Sequence, residues 1–270
     1  MTKTLLIGYG DIARRLRPIL AGEVVAMRRH PVPEDDAVAV DANDRAALRS
    51  LLAQDFDQIL VTLTPSERSD TGYRLGYVAP MQQLVRVLAD LHLSPRVVFV
   101  SSTSVYGQNQ GEWVDESSPT EPGSYAGRRL LEAETVLLDS QLPVTIARLT
   151  GIYGPGREYL LNQVRQGITP GRSLLAWSNR IHAEDAARAL RHLLALPAPD
   201  RVYLVSDSKP VLLAEVVNGL ALAVGKAPIE QSMHAPFTGK RVRNDRLLAS
   251  GFRLHYPNWR AGYKTLVPGL

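Results

Sequence analysis

Runs of contiguous aliphatic residues alternate along most of this chain with stretches whose apolar residues recur every three or four positions, and that alternation leaves few folds open. The strand-like runs are Thr4–Ile7, Val24–Met27, Val38–Val40, Gln58–Leu63, Val97–Val100, Val144–Leu149 and Val202–Val205. Helical spacing covers Asp11–Leu20, Arg45–Ala53, Leu75–Leu91, Arg128–Leu138 and Ala183–Leu196. Strands that alternate with helices join by right-handed crossovers into a parallel sheet covered on both faces, and continuous Val, Ile and Leu runs suit strands buried on both sides. The expected class is α/β, with a doubly wound parallel sheet.

The first strand runs into Gly8-Tyr9-Gly10-Asp11-Ile12-Ala13, a GxGxxA turn that opens a helix. In that setting the first glycine permits a tight turn, Gly10 lets backbone amides approach a pyrophosphate, and the small Ala13 lets helix and strand pack closely. The pattern predicts a Rossmann dinucleotide site that uses Gly8, Tyr9, Gly10, Asp11, Ile12 and Ala13. An NAD site usually carries a carboxylate at the end of the second strand, where it takes hydrogen bonds from the adenosine ribose. Here that stretch reads Met27-Arg28-Arg29-His30. Guanidiniums at Arg28 and Arg29 would attract a 2′-phosphate, so NADP is expected over NAD. Asp41 and Ala42, after the third strand, are expected to border the adenine. Beyond about Tyr153 the alternation loosens and Pro and Gly become frequent, and Val211–Leu270 holds one clear helix ahead of irregular, aromatic-containing sequence. The expected division is a dinucleotide-binding domain over residues 1–155, completed by about 181–206, and a small C-terminal substrate-binding lobe made of 156–180 and 207–270.

Composition removes several alternatives. There is no cysteine, which excludes disulfides, thiolate metal sites and cysteine nucleophiles and fits a reducing cytoplasm. The six histidines form no pair at metal-ligand spacing, so no metal is expected. The net charge is +4, but basic and acidic residues are interleaved, which argues against a nucleic-acid partner. No apolar run reaches the roughly 18 residues of a membrane span. The basic residues are 26 arginines against five lysines, a bias that bears on the catalytic pattern.

The fifth strand ends in Phe99-Val100-Ser101-Ser102-Thr103-Ser104-Val105-Tyr106-Gly107, and Ser124-Tyr125-Ala126-Gly127-Arg128-Arg129 opens a helix. Later come Arg148-Leu149-Thr150-Gly151-Ile152-Tyr153-Gly154-Pro155-Gly156-Arg157, then Ile181-His182-Ala183-Glu184-Asp185, Gly239-Lys240-Arg241 and Gly251-Phe252. Through these ordered motifs the chain resembles the extended short-chain dehydrogenase/reductases, the NAD(P)-dependent epimerase/dehydratase family. The resemblance implies that Tyr125 is the acid/base toward a substrate hydroxyl or carbonyl and that Ser102 hydrogen-bonds the same oxygen. It also implies that Leu149, Thr150 and Ile152 line the cofactor, and that two helices of each protomer pair in a homodimer. A phenol of pKa about 10 works near neutrality only with positive charge nearby, which the family supplies as a lysine four residues after the tyrosine. This chain has Arg129 there. Arginine keeps the charge but cannot lose a proton, and its planar fork has a different reach. The exchange is either neutral drift in an arginine-rich chain, a retuned site or a loss of chemistry.

Dehydratases of the family carry an acidic pair after the catalytic hydroxyl residue, where this chain has Thr103 and Ser104, poor acids and bases near neutral pH. Epimerases resembling UDP-galactose 4-epimerase place an arginine four residues before the histidine of the Ile-His motif, where this chain has Ser178. The expected function is an NADP-dependent oxidoreductase or epimerase acting on a small hydroxyl or carbonyl compound, with Thr103, Ser104, Tyr159, Trp177 and Arg180 facing substrate. Two alternatives stand beside it: a non-catalytic dinucleotide sensor and a nucleotide-sugar epimerase. His182 and Asp185, which open a helix, read as packing or capping residues.

Overall fold

The computed structural model describes residues 1–171, 173–229 and 236–270. In chain order the elements are Lys3–Ile7 (β1), Asp11–Leu16 (α1), Glu23–Arg28 (β2), Val38–Ala39 (β3), Arg45–Leu52 (α2), Gln58–Val61 (β4), Asp70–Tyr73 (α3), Ala79–Asp90 (α4), Arg96–Ser102 (β5), Gln110–Val114 (β6), Tyr125–Leu138 (α5) and Val144–Leu149 (β7). They continue with Gly151–Tyr153 (β8), Tyr159–Gln166 (α6), Trp177–Ser178 (β9), Arg180–His182 (β10), Ala183–Ala195 (α7), Val202–Val205 (β11), Val211–Leu212 (β12), Leu213–Ala223 (α8), Gly239–Val242 (β13), Asp245–Ala249 (α9) and Trp259–Tyr263 (α10).

Seven strands form a parallel sheet in the order β11-β7-β5-β4-β1-β2-β3, the doubly wound Rossmann arrangement. Leu5 and Leu6 of β1, Ile59 and Leu60 of β4, and Val97 and Val98 of β5 are fully buried, as continuous aliphatic runs require. Two expected helices differ in detail. The helix from Asp11 stops at Leu16 and tightens into a 3₁₀ turn over Arg17–Ile19, because Pro18 cannot continue the hydrogen-bond ladder. The helix expected over Leu75–Leu91 begins earlier, at Asp70, and contains a π turn at Arg74–Val78. Pro80 has no N–H for the Gly76 carbonyl, so the ladder is interrupted where the wider turn occurs.

The chain packs as two compact units. The first comprises Met1–Tyr106, Thr120–Arg148 and Ala187–Tyr203, and the second Gly107–Pro119, Leu149–Ala186 and Leu204–Leu270. The second unit takes in more than the expected 156–180 and 207–270. β6 pairs with β13 and β8 with β10, which draws 107–119, 149–155 and 181–186 into it. Its own core gathers Tyr153, Leu161, Val216, Leu220, Trp259 and Tyr263. The tail expected to be mostly irregular carries β13, α9 and α10, too short for periodicity to announce them. Among the described residues no helix is long and apolar enough to cross a membrane.

Candidate dinucleotide and catalytic site

The end of β1 lies where the strand order turns back, with β2 on one side and β4 on the other. Ligands of open α/β sheets bind outside the carboxyl ends of strands at such a point. Gly8 sits there with φ +91°. Its N–H donates to the Met27 carbonyl at 3.0 Å, and the Thr62 hydroxyl donates to its carbonyl at 2.5 Å. Gly10 is different: a Cβ built on it meets nothing within 4 Å. Packing does not demand glycine at position 10, and the space a side chain would fill lies open to a ligand backbone or phosphate. Ile12 and Ala13 are buried against the sheet, Asp11 accepts from Arg15 Nε at 2.9 Å, and the Tyr9 ring lies 5.6 and 5.5 Å from the Arg14 and Arg17 guanidiniums.

At the end of β2, Arg28 Nη1 donates to Asp35 at 2.5 Å. Arg14 also pairs with Asp35, and the Val32 N–H donates to it at 3.1 Å. Desolvation raises the Asp35 pKa, but these three donors outweigh it and hold the carboxyl below its usual range. Two guanidiniums thus share the Asp35 carboxylate, while Arg17 pairs with the adjacent Asp36. Arg29 is exposed and makes no ion pair among the described residues. Asp41 lies two residues beyond β3 and closes a local turn by accepting the Asn43 N–H at 2.9 Å, and Ala42 is buried.

Ser102 is the last residue of β5, and its hydroxyl accepts the Ser104 N–H at 3.2 Å, capping a 3₁₀ turn over Thr103–Val105. Tyr125 opens α5, whose cap Ser124 accepts the Gly127 N–H at 3.2 Å. Gly127 brings the two elements together. A Cβ on it would lie 2.3 Å from the Ser104 carbonyl oxygen, so the first turn of α5 rests directly on the turn that follows Ser102. The Tyr125 hydroxyl donates to the Arg68 carbonyl at 2.8 Å, and the Tyr73 ring meets its ring edge-on at 5.5 Å. Arg129 makes a forked pair with Asp70, Nε to Oδ1 at 3.0 Å and Nη2 to Oδ2 at 2.7 Å, while Nη1 donates to Glu132 at 2.6 Å. Those bonds, to Asp70 first and then Glu132, push the Arg129 pKa up, and Arg129 in turn holds the Asp70 carboxyl down.

Behind these residues lies a buried network that sequence reasoning did not name. Glu134, fully buried on α5, accepts from the Ser101 hydroxyl at 2.5 Å and from Arg148 Nη2 at 2.6 Å, and Arg148 Nη1 donates to the Tyr106 hydroxyl at 2.7 Å. β5 and β7 are thereby tied directly to a carboxylate of α5, and the segment after the 3₁₀ turn is joined to it through Arg148. A signal existed in the sequence. Glu134 occupies the apolar stripe of Leu130, Ala133 and Leu137, and Arg148 interrupts an aliphatic strand. Charges set in such places must pair.

In the second unit, Leu149 and Thr150 are buried, and the Thr150 N–H donates to the Val205 carbonyl at 3.1 Å. Ile152 pairs with Ile181 across β8 and β10. Tyr159 stands 77% exposed at the start of α6. Trp177 is half-buried beneath the Arg241 guanidinium at 4.9 Å, and Ser178 is buried. Asp185 accepts the N–H groups of His255 and Tyr256 at 3.0 and 2.8 Å, which fixes that segment to the start of α7.

Asp207 follows β11. Its N–H donates to the Arg180 carbonyl at 2.7 Å, while its own Oδ2 and Arg180 Nε are buried with no hydrogen-bond partner among the described residues. Burial pushes the Asp207 pKa up to about 7, against the Lys209 N–H and Arg180, which lower it, while Asp185 adds to the rise. A carboxyl raised in the fold binds more protons there than in the unfolded chain, so its ionisation removes stability between about pH 4, the unfolded value, and about 7. Urea unfolding at pH 5 and pH 8 is expected to find a loss on the order of a few kcal/mol in the parent chain, and that slope should be absent from Asp207→Asn. An equal slope in both would refute the assignment.

Among the described residues no group of three or more His, Asp or Glu is placed to hold a metal ion. The model of the NAD dependent epimerase/dehydratase family matches residues 13–205. Protein YeeZ of Escherichia coli K12 is 36% identical over 235 residues, covering 81% of this chain and 76% of YeeZ. A structure from Methylobacillus flagellatus, described provisionally as an NAD-dependent epimerase/dehydratase, superposes with a TM-score of 0.85 at 32% identity, covering 99% of this chain and 98% of that one. A double mutant of DesIV, a dTDP-glucose 4,6-dehydratase from Streptomyces venezuelae with NAD bound, shares the fold at a TM-score of 0.82 and 19% identity, covering 100% and 96%. With a family model spanning most of its length and a relative 36% identical to it, the chain belongs to the NAD-dependent epimerase/dehydratase family.

Proposed function

We propose that this protein is an NADP-dependent oxidoreductase or epimerase acting on a hydroxyl or carbonyl group of a small molecule. The observation that carries the reading is the contact at Gly127, which sets the turn bearing Tyr125 against the turn bearing Ser102 at the end of β5. Tyr125 supplies or takes the proton at the substrate oxygen, and the Ser102 hydroxyl holds that oxygen in place. The loop from Gly8 to Ala13 holds the dinucleotide, with Leu149, Thr150 and Ile152 assigned to it by family position. A bound nicotinamide dinucleotide supplies the two-electron redox chemistry. Arg28 and Arg29 favour the 2′-phosphate, and Thr103 and Ser104 in place of an acidic pair disfavour loss of water. Tyr159, Trp177 and Arg180 are assigned to substrate, and the protein works in the cytoplasm as a homodimer through α4 and α5.

Fluorescence titration should find NADPH bound roughly tenfold or more tightly than NADH, the gain from one charge-assisted contact. That preference should vanish in Arg28→Ala/Arg29→Ala. In a screen of carbonyl and alcohol compounds, Tyr125→Phe should lower any turnover by roughly 10²-fold or more. Unchanged turnover in that variant would end the catalytic reading.

A second reading, a sensor that binds dinucleotide without turnover, draws on a specific feature: two carboxylates take the Arg129 guanidinium, and the Tyr125 hydroxyl is engaged by a backbone carbonyl. Tight NADPH binding with no turnover across the screen would favour it.

A further inference from the structure

In the second unit β13 sets Arg241 against two tryptophans. Its guanidinium carbon stands 4.8 Å from the centre of the Trp113 ring on β6 and 4.9 Å from that of Trp177 on β9. Several residues serve this arrangement. Gly111 takes φ +85° where the register between β6 and β13 shifts, and a Cβ on it would lie 2.9 Å from Trp177 Nε1, so glycine there leaves room for the indole. The Gly111 carbonyl then accepts from Arg241 Nε at 2.7 Å. On either side of Arg241 the backbone is held by Asn179, whose amide donates to the Lys240 carbonyl and accepts the Val242 N–H, both at 2.8 Å.

Arg28, Arg129 and Arg148 each meet a carboxylate, whereas among the described residues Arg241 forms no ion pair and no hydrogen bond beyond the one from Nε. The acidic residues of the neighbouring segments are engaged elsewhere. Glu112 on β6 accepts the Gln110 N–H at 2.7 Å, and Asp245, after β13, lies 3.8 Å from Arg243. A half-buried charge without a counterion is costly, and one already fixed by two rings and a backbone carbonyl gives up little freedom when a ligand arrives. With Nε taken, the remaining donors are those on Nη1 and Nη2, a fork that fits two oxygens of a carboxylate or a phosphate. We propose that Arg241 binds an oxyanion, and that the substrate therefore carries a carboxylate or a phosphate group. This rests on the reading of Trp177 as a substrate residue. It narrows the substrates from hydroxyl and carbonyl compounds at large to hydroxy acids, oxo acids and phosphorylated alcohols, aldehydes or ketones.

Intrinsic fluorescence reads the binding step without a known substrate, because two of the three tryptophans stand against Arg241. Inorganic phosphate and malonate are titrated into the full chain at constant ionic strength, with glycerol as the neutral control, and thermal unfolding is followed in the same solutions. At least one anion should give a saturable fluorescence change and a raised Tm in the parent, and glycerol neither. The anion that binds more tightly separates a phosphate site from a carboxylate site. Arg241→Gln should weaken that binding about tenfold or more, the loss of one charge-assisted contact. Arg243→Gln removes an equal charge, 5.1 Å from the Trp113 ring, and should leave the midpoint near that of the parent. Arg241→Lys keeps the charge but not the fork, so it too should bind more weakly, and it decides the matter if Arg241→Gln does not fold. Equal losses in the variants at 241 and 243 would mean a general field effect and overturn the proposal. So would a parent that binds neither anion, or a variant at 241 that binds as the parent does. In the screen of carbonyl and alcohol compounds, Arg241→Gln should raise KM for anionic substrates with kcat little changed. Turnover confined to neutral compounds would overturn the substrate class. Anion binding that depends on Arg241, alongside turnover indifferent to Tyr125→Phe, would uphold this site and remove the catalytic reading instead.

Discussion

Replacing Glu134 by alanine is expected to destabilise the chain by about 3–5 kcal/mol, the cost of stranding a buried charge. Arg148 is 5% exposed, and Glu134 accepts from two of its nitrogens. Desolvation alone would lower the Arg148 pKa, but the bonds to Glu134 and Tyr106 outweigh it and keep the guanidinium charged. Without Glu134 that charge has no counterion in the network, and the Ser101 hydroxyl loses its acceptor as well. Glu134→Gln separates charge from volume: it keeps the side-chain shape and should still cost most of the loss. Glu134→Gln combined with Arg148→Met should recover much of the stability, because removing both charges also removes their desolvation penalty. Urea unfolding of the three variants checks the series. A loss in Glu134→Ala no larger than that of an ordinary exposed substitution would mean that the pair is solvated.

The sheet and the glycine loop were legible because their signals are local. Aliphatic runs and three-to-four-residue periodicity located β1, β2, β4, β5, β7 and β11 to within a few residues, and Gly8 and Gly10 were placed by the strand before them and the helix after. Proline overrode periodicity at Pro18 and Pro80, where a missing N–H mattered more than the spacing of apolar side chains. The pairing of β6 with β13 joins segments more than a hundred residues apart, so the extent of the second unit could not be read from any window of sequence. Tyr125, Ser102 and Arg129 were singled out as candidates by motif, but the partners of Arg129 were not. Asp70 lies 59 residues from Arg129, and an exposed aspartate in a polar stretch carries no mark of the residue it will meet. Glu134 was a different case, since its place in an apolar stripe was visible and called for a partner that the tertiary fold supplies as Arg148.

Gly127→Ala is expected to lower turnover by roughly 10²-fold while leaving dinucleotide affinity near that of the parent, because a misplacement of about 1 Å in reacting groups has a cost of that order. The added methyl would sit 2.3 Å from the Ser104 carbonyl oxygen and 2.6 Å from the Pro122 Cβ. Neither neighbour is the end of a flexible side chain. One is backbone in the 3₁₀ turn after Ser102 and the other is a ring carbon just ahead of the Ser124 cap, so relief must come from moving α5 or the turn. Either movement separates Tyr125 from Ser102. The stability cost should be the about 1–3 kcal/mol typical of overpacking, partly offset by the better helix propensity of alanine. The Gly8–Ala13 loop is untouched, and NADPH titration should register that. Gly123→Ala is the matched control: it lies four residues away, a Cβ there meets nothing within 4 Å, and turnover should be unchanged. If Gly127→Ala and Gly123→Ala behave alike, the close approach of α5 to the Ser102 turn is not what assembles the site.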